Sequence, residues 1–464
     1  MPYIPTTGAQ REEMLRALGI SSLEELFREI PGDFRYPPLE DAALGGGLSE
    51  GEALREIAAL AERNLDAGKT AWFLGAGVYN HFIPAAVGAL ASRGEFLTAY
   101  TPYQPEVSQG TLQAIFEFQS MIAGLLGMDV VNAGHYDGAA ALAEAVIIAL
   151  KQNGGRGGEP CEPGQRVMIP RGLHPEYKEV LTAYLAAYRP VLEEYGGDPA
   201  AAVIEAPLTD LRGRACLVAA YPDFFGTIPN LAGAAEAIHA QEGLFIVHAD
   251  PVMLGLFKSP GEWGADMVTA EGQSLGNDMN YGGPLLGIMA VTRDLVRKIP
   301  GRIAGEARDS RGRRGFVLTL SAREQHIRRE RAVSNICSNQ GLAMLRSCIY
   351  LALMGKAGLR RAAELCWNLS HYAAKRIAAL PGFSAAEEAG GPGGNFFKEF
   401  TVKLPGEKTA EAAWEALCRK GIAPGLPLSR YFPARPGELL ICVTENNSRA
   451  DIDRLVLALK ELYQ

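Results

Sequence analysis

LFIVHADPV, residues 244–252, is an apolar strand that ends in His248 and Asp250. A second stretch of the same kind, LVAAYPDFFGTIPN at residues 217–230, runs from an apolar strand into a proline and a glycine. Such strands alternate with helix-like segments, which indicates right-handed βαβ units and a mostly parallel sheet. Ligands of open sheets bind beyond the carboxyl ends of the strands, so Asp250 stands where a ligand is expected.

The rest of the chain extends this outline. We predict an N-terminal arm at 1–50, a large domain at 51–325, and a helical linker with a small C-terminal α+β domain at 326–464. A large parallel-sheet domain with Asp at a strand end and a small C-terminal domain resembles the aminotransferase-like α/β enzymes, which bind pyridoxal phosphate. In those enzymes the Asp keeps the pyridinium nitrogen protonated. The alternative for Asp250 is a turn or cap residue after a strand.

An enzyme of this kind needs a lysine that forms the Schiff base soon after this Asp. The next segment, DMVTAEGQSLG at 266–276, contains no lysine. Gln273 or Ser274 stands at the expected position, and neither an amide nor a hydroxyl can form an imine. The only lysines between residues 250 and 300 are Lys258 and Lys298, and both are expected to lie on the surface.

The phosphate end of the expected pocket points the same way. The candidate helix start is HYDGAA at 135–140, where Asp137 is a good N-cap. Its carboxylate has the place and the charge that a bound phosphate would need. We therefore expect the fold to be retained and cofactor binding to be lost.

Long stretches of the chain resemble subunit 1 of the two-subunit glycine decarboxylase, the P-protein of the glycine cleavage system. They include FLGAGVYNHFIPAAV (73–87), the segment from LTAYTPYQPEVSQG to GHYDGAAALAEA (97–145), VTAEGQSLGNDMNYGGPLLGIMA (268–290), TLSAREQHIRRERAVSNICSNQ (319–340) and LLICVTENNSRADID (439–453).

The resemblance implies glycine decarboxylation on pyridoxal phosphate and transfer of the aminomethyl group to the lipoyl arm of the H-protein. It also implies a heterotetramer in which subunit 2 carries the cofactor and this chain carries none. Under this hypothesis the chain completes the partner's pocket. Two alternatives stay open: an autonomous pyridoxal enzyme that uses Lys258 or another lysine, and a purely structural partner subunit.

Several polar residues are candidates for contributions to the partner's site. His81 lies in a glycine-rich turn, and Ser108 and Gln109 precede a helix at Thr111. In dimers of this fold the segment near residue 320 approaches the neighbour's phosphate, which adds Thr319, Gln325, His326 and Arg328. The alternatives are turn and helix capping, a solvated arginine face, or docking of an acidic carrier. We expect GRIAGEARDSRGRRG (301–315) to be a mobile loop, and a long helix from Ala322 to Leu380.

Bulk composition excludes other classes of function. The net charge of -8 argues against a nucleic-acid-binding surface. The apolar stretches Ala139–Leu150 and Gly341–Met354 are too short to span a bilayer, so no membrane partner is expected. Seven dispersed cysteines have no metal-site spacing, so no bound metal is expected, and they suit reduced thiols in the cytoplasm.

Overall fold

The structure, a computed structural model, describes residues 6–35, 47–98, 100–153, 164–196, 213–385 and 395–463. The chain divides into the units Met1–Leu65 and Asp66–Gln464, whereas the sequence analysis placed the first division at residue 50. The first unit contains helices α1 (Gly8–Leu18) and α2 (Glu50–Ala61). Capping boxes at Thr7 and Ser49 begin these helices, because the side chain of each cap accepts a hydrogen bond from the first turn.

The second unit is built on a central sheet, which has seven strands within the described residues. Their order is β2-β8-β7-β6-β5-β3-β4. Every neighbouring pair is parallel except the two that β8 makes, so the prediction of a mostly parallel sheet is confirmed. The strands are β2 (Val130–Val131), β3 (Arg166–Pro170), β4 (Val191–Tyr195), β5 (Arg214–Tyr221), β6 (Leu244–Ala249), β7 (Met267–Glu271) and β8 (Gly287–Val291).

Apolar side chains cover both faces of this sheet. In β5, Leu217 and Ala219 belong to one buried cluster while Cys216 and Val218 belong to the other, as the two-residue period of a strand requires. The flanking helices are α3 (Ala85–Ala91), α4 (Gly94–Leu97), α5 (Gln109–Leu126), α6 (Gly138–Asn153), α7 (Pro175–Leu185) and α8 (Ala234–His239). Helix α8 begins only at Ala234, because Gly233 adopts a left-handed conformation just before it.

The C-terminal part forms a smaller α+β layer. Its four-stranded sheet has the order β11-β12-β15-β14, and a parallel pair joins β1 to β13. The elements are β1 (Ala71–Trp72), α10 (Gly341–Ala378), β11 (Ser384–Ala385), β12 (Glu399–Lys403), α11 (Ala410–Cys418), β13 (Ile422–Ala423), β14 (Leu426–Pro427), β15 (Glu438–Cys442) and α12 (Arg449–Tyr463).

Helix α10 is kinked at Gly355. By length and composition alone, this helix is long and apolar enough to cross a membrane. Its buried side chains, however, pack into the clusters that cover the central sheet and the smaller sheet, as those of a core helix do.

Two predictions about residues 301–340 are wrong. The expected mobile loop is a β-hairpin, β9 (Ile303–Arg308) and β10 (Arg314–Thr319), because Phe316 and Ile303 anchor it in the core. The expected long helix begins only at Gly341. The segment before it holds three short turns, two 3-10 turns at Ser321–Arg323 and Arg329–Arg331 and, between them, α9 (Gln325–Arg328), which ends at Arg329 with a positive φ. The glycine-rich run GGRGGEPCEPG (154–164) predicts a surface loop, and it lies outside the described residues except for Gly164.

Candidate functional site

Asp250 follows strand β6 at the carboxyl edge of the sheet, as predicted. Its Oδ1 accepts hydrogen bonds from the backbone N–H groups of Val252 and Met253 at 2.9 and 3.2 Å. Its Oδ2 lies 2.6 Å from the ammonium of Lys398. Burial works to raise the pKa of Asp250, but the charge and the hydrogen bond of Lys398, together with the Met253 N–H, outweigh burial and the net shift is downward. Asp250 is therefore an ionised carboxylate with both oxygens engaged.

Lys398 is a buried cation that the sequence analysis missed. The residue is only 1% exposed, and lysine is rarely buried to this extent unless it is paired. Besides Asp250, its Nζ contacts His81 Nε2 at 2.9 Å and lies 3.4 Å from the centre of the Tyr79 ring. Burial works to lower the pKa of Lys398, but Asp250 reverses this and the pKa is raised.

His81 extends this network away from the sheet. An ammonium has only donors, so His81 Nε2 must accept from Lys398 and Nδ1 must donate to Glu445 Oε2, 2.8 Å away. Burial works to raise the pKa of Glu445, but the hydrogen bonds that its carboxylate accepts from His81 and from the Phe82 N–H shift the pKa downward. Both ring nitrogens are engaged inside this chain and the residue is buried. The side chain of His81 therefore does not lie at a surface that a partner can reach.

His81, Cys366 and Glu445 also have the spacing of a metal site, within the described residues. Two features disfavour a metal ion there. Burial holds the pKa of Cys366 well above its usual value, which keeps the thiol protonated. The Lys398 ammonium beside His81 would repel a second cation. This geometry fits an internally hydrogen-bonded cluster.

Gln273 occupies the position where a Schiff-base lysine was sought. Its Nε2 donates to the carbonyl oxygens of Tyr79 and Asn277, and its Oε1 accepts from the Tyr79 N–H. Tyr79 in turn donates its hydroxyl hydrogen to Glu399 Oε2, and the Ala76 N–H donates to Glu399 Oε1. Gln273 and Glu399 thus fasten the segment 76–79 over the strand ends.

A second carboxyl group lies at the start of helix α6. Glu271, at the end of β7, accepts hydrogen bonds from the backbone N–H groups of Gly138, Gln273 and Leu286 at 2.9 Å. Asp137 caps the same helix end through the Ala140 N–H, as predicted. Burial raises the pKa of Glu271 to about 7, against the lowering effect of its three N–H donors. Two of the N–H groups that could cradle a phosphate at this helix start, those of Gly138 and Ala140, are already occupied.

A small cavity remains between these groups. Its volume is about 70 Å³, and Ser274, Tyr177, His174 and His248 contribute to its lining. Pockets for small-molecule ligands occupy about 300 Å³ or more. Burial lowers the pKa of His248 to about 4 and also lowers that of His174, so both imidazoles are neutral. The cavity offers no free cationic group for a phosphate among the residues described.

The other predicted site residues form a separate group near the hairpin. Gln109 bonds the backbone N–H and C=O of Phe316, both at 2.8 Å, and Ser108 precedes it at the start of α5. Thr319 ends β10, and Gln325, His326 and Arg328 lie on α9. The ring of Tyr103 meets His326 edge to face, with ring centres 6.1 Å apart. The structure thus places the segments 103–109 and 319–328 side by side.

The chain was compared with known proteins. The family model for the glycine cleavage system P-protein matches residues 1–459. Probable glycine dehydrogenase (decarboxylating) subunit 1 from Thermomicrobium roseum is 45% identical, and that from Desulforamulus reducens is 46% identical, each over 99% of both chains. A solved glycine decarboxylase (P-protein) of the glycine cleavage system, in inhibitor-bound form, is 42% identical with a TM-score of 0.86 over 100% of both chains.

The chain belongs to the glycine cleavage system P-protein family. A sphingosine-1-phosphate lyase of Burkholderia pseudomallei and an aspartate aminotransferase of Thermus thermophilus share its fold, with TM-scores of 0.63 and 0.54. They are 14% and 15% identical and cover 92% and 84% of this chain. The predicted aminotransferase-like fold is confirmed.

The P-protein family depends on pyridoxal phosphate, so the pocket can be tested for fit. Lys398 fills the place beside Asp250 where the ring nitrogen would lie, and Glu271 and Asp137 accept hydrogen bonds from two N–H groups of the phosphate end. Gln273 cannot form the imine, and the remaining 70 Å³ is small for the cofactor. The residues of this P-protein chain do not fit the cofactor.

Proposed function

We propose that this chain is the cofactor-free subunit of a two-subunit glycine decarboxylase. The observation that carries the proposal is the ion pair between Lys398 and Asp250 in the pocket that would otherwise receive the cofactor. Its relatives are named as subunit 1 of glycine dehydrogenase (decarboxylating), which implies a partner subunit. The partner would hold pyridoxal phosphate, and the H-protein would accept the aminomethyl group. We expect two copies of each subunit.

Under this proposal, the chain contributes to the reaction through residues on its surface. The segments 103–109 and 319–328 lie side by side with exposed Tyr103, His326 and Arg328. Arg328 can bind a carboxylate or phosphate in a planar fork. We propose that these two segments close the partner's pocket and exclude water from it. The six described cysteines are unpaired thiols, which supports a cytoplasmic location.

The alternative of an autonomous enzyme rests on a lysine that can form the imine. Lys258 is exposed, and its Nζ lies 4.0 Å from the centre of the Trp263 ring, away from Asp250 in the structure. Lys398 lies at Asp250, but its raised pKa keeps it protonated and so without nucleophilicity. Neither lysine supports this alternative.

The test is visible absorbance of the purified chain with pyridoxal phosphate, followed by borohydride reduction and mass analysis. The same treatment of the partner subunit is the positive control. We expect a stoichiometric lysine adduct on the partner and none on this chain. A stoichiometric adduct on a single lysine of this chain would overturn the proposal and identify that lysine.

A further inference from the structure

We infer that Lys398 is a built-in substitute for the cofactor's cationic ring, the resident cation on which Asp250, His81 and Tyr79 converge. The inference deepens the proposed function, on which it rests, because it states what fills the pocket of a cofactor-free subunit. It assigns a ligand class to that position, a primary ammonium.

The Lys398 ammonium has a complete set of partners. Its three N–H bonds match the Asp250 carboxylate at 2.6 Å, the His81 Nε2 acceptor at 2.9 Å and the face of the Tyr79 ring at 3.4 Å. A carboxylate, a neutral imidazole and an aromatic face are the three kinds of group that bind an ammonium well. This arrangement is a binding site for a primary ammonium, supplied from within the chain.

Each of these three partners is fixed by further hydrogen bonds. Asp250 is held by two backbone N–H groups, His81 by Glu445, and Tyr79 by Gln273 and Glu399. Asp250, His81 and Tyr79 would therefore keep their positions when the ammonium is removed, although the charge of Asp250 would then be unpaired. A preorganised site of this kind can bind an added ammonium without a conformational change.

Lys398 and Asp250 belong to different parts of the fold. Lys398 immediately precedes β12 in the smaller α+β layer, whereas Asp250 immediately follows β6 of the central sheet. Phe397 N–H donates to the Gly226 carbonyl, which brings this segment across the strand ends. The ion pair thus joins the two layers at the place where an external ligand would otherwise bind both.

The test is chemical rescue of Lys398→Ala, followed by thermal unfolding of the full chain. Removing one partner of a buried ion pair should lower Tm by roughly 5–10 °C, whereas the control Lys258→Ala removes an exposed lysine and should change little. Millimolar propylammonium, which has the atoms removed from the lysine, should restore at least half of the loss. Tetramethylammonium, which has no N–H donor, should not.

The rescue must also depend on Asp250. Asp250→Asn/Lys398→Ala should not respond to propylammonium, because the neutral amide leaves no charge to pair. If propylammonium fails on Lys398→Ala, or acts equally on Lys258→Ala, the inference is overturned. If Lys398→Ala does not fold, Lys398→Met and Asp250→Asn/Lys398→Met replace it. The double variant should then be the more stable of the two. A less stable double variant would contradict the inference that Lys398 is the cation paired with Asp250.

A labelling experiment gives an independent readout. Acetylation of the native chain with an N-hydroxysuccinimide ester should modify Lys258 rapidly and Lys398 at least a hundredfold more slowly, as judged by peptide mass analysis. Equal rates would overturn the inference. The rescue and labelling results can be distinguished from the result of the cofactor test. A cofactor adduct on another lysine would reject the proposed function but would leave the inference about Lys398 unchanged.

Discussion

At the residue scale, side chains of this chain occupy both ends of the pocket. Glu271 places a carboxyl oxygen on the Gly138 N–H at the start of α6, and Lys398 places an ammonium on Asp250. Pyridoxal phosphate would bring a phosphate to a helix N-terminus and a protonated ring nitrogen to an Asp. Under the proposed function, the chain fills both positions with its own side chains and lacks the reactive lysine.

Glu271→Gln tests the carboxyl at the helix end. An amide NH₂ in place of one oxygen would face a backbone N–H donor, which should cost about 1–3 kcal/mol of unfolding free energy near pH 5. The folded-state pKa of about 7 lies above the ordinary 4.5. The unfolded chain loses this proton at lower pH than the folded chain, so wild-type stability falls as pH rises from about 4.5 to 7.

Glu271→Gln lacks this titration, so the stability gap between it and wild type should be widest near pH 5 and narrow by pH 8. Urea unfolding at both pH values measures the gap. Asp223, whose pKa burial also raises to about 7, titrates in both proteins and cancels in the comparison. The exposed Glu236→Gln is the control. A gap that widens with pH would show that Glu271 is ionised throughout.

At the element scale, Gln109 acts as an extra strand partner for the hairpin. Its side-chain amide pairs with both backbone groups of Phe316 on β10 and with the Pro105 carbonyl. Gln109→Ala should lower the unfolding free energy by about 1–3 kcal/mol and speed hydrogen exchange at the Phe316 amide. Gln113→Ala, one turn later, loses only a surface bond to Glu117 and is the control. Equal behaviour of the two variants would contradict this role.

Gly226 controls the approach of β12 to the central sheet. It has a φ of +88°, and a Cβ there would lie 1.9 Å from the Glu399 carbonyl oxygen. Gly226→Ala should therefore displace the segment that carries Lys398, lower Tm and increase acetylation of Lys398. Gly233→Ala is a matched control, because its φ of +77° imposes the same backbone strain with no atom within 4 Å. Similar Tm values for the two variants would show that the contact is not tight.

The extent to which sequence predicts this fold differs between elements. Strand β6 was predicted almost to the residue, because it is a continuous apolar run with a clear end. The hairpin at 303–319 was missed because its outward-facing arginines hide the inward-facing Phe316 and Ile303. The start of α10 was placed too early, since no proline or glycine marks the turns before Gly341.

Sequence reasoning also located half of the site. The positions of Asp250 and of Gln273, which stands where a lysine was expected, can be predicted from strand ends, and strand ends are local features of the sequence. Lys398, Glu399 and Glu445 are distant in sequence, and their proximity arises only from packing of the two layers. One local signal was available in NFFKEF at 395–400, where two charged residues interrupt an apolar strand. Charges at such buried positions require partners.

At the scale of the whole molecule, the proposed assembly makes the surface at 319–328 functional. Arg328→Ala should lower kcat/KM of the assembled glycine decarboxylase at least tenfold, which corresponds to about 1.4 kcal/mol of transition-state stabilisation. Arg331→Ala, an exposed arginine of the same segment paired only loosely with Glu330, is the control. Assembly is checked by gel filtration. Unchanged turnover in Arg328→Ala at full assembly would favour a purely structural subunit.

The pairing of Asp250 with Lys398 also sets an order of events during synthesis. Ribosomes add roughly 5–20 residues per second. The strand that ends in Asp250 therefore leaves the ribosome on the order of 10 s before Lys398 is translated. During that interval the nascent sheet carries a carboxylate without its cation, so it cannot close over this edge. The cation that closes this edge of the sheet is therefore supplied by the last third of the chain to be translated.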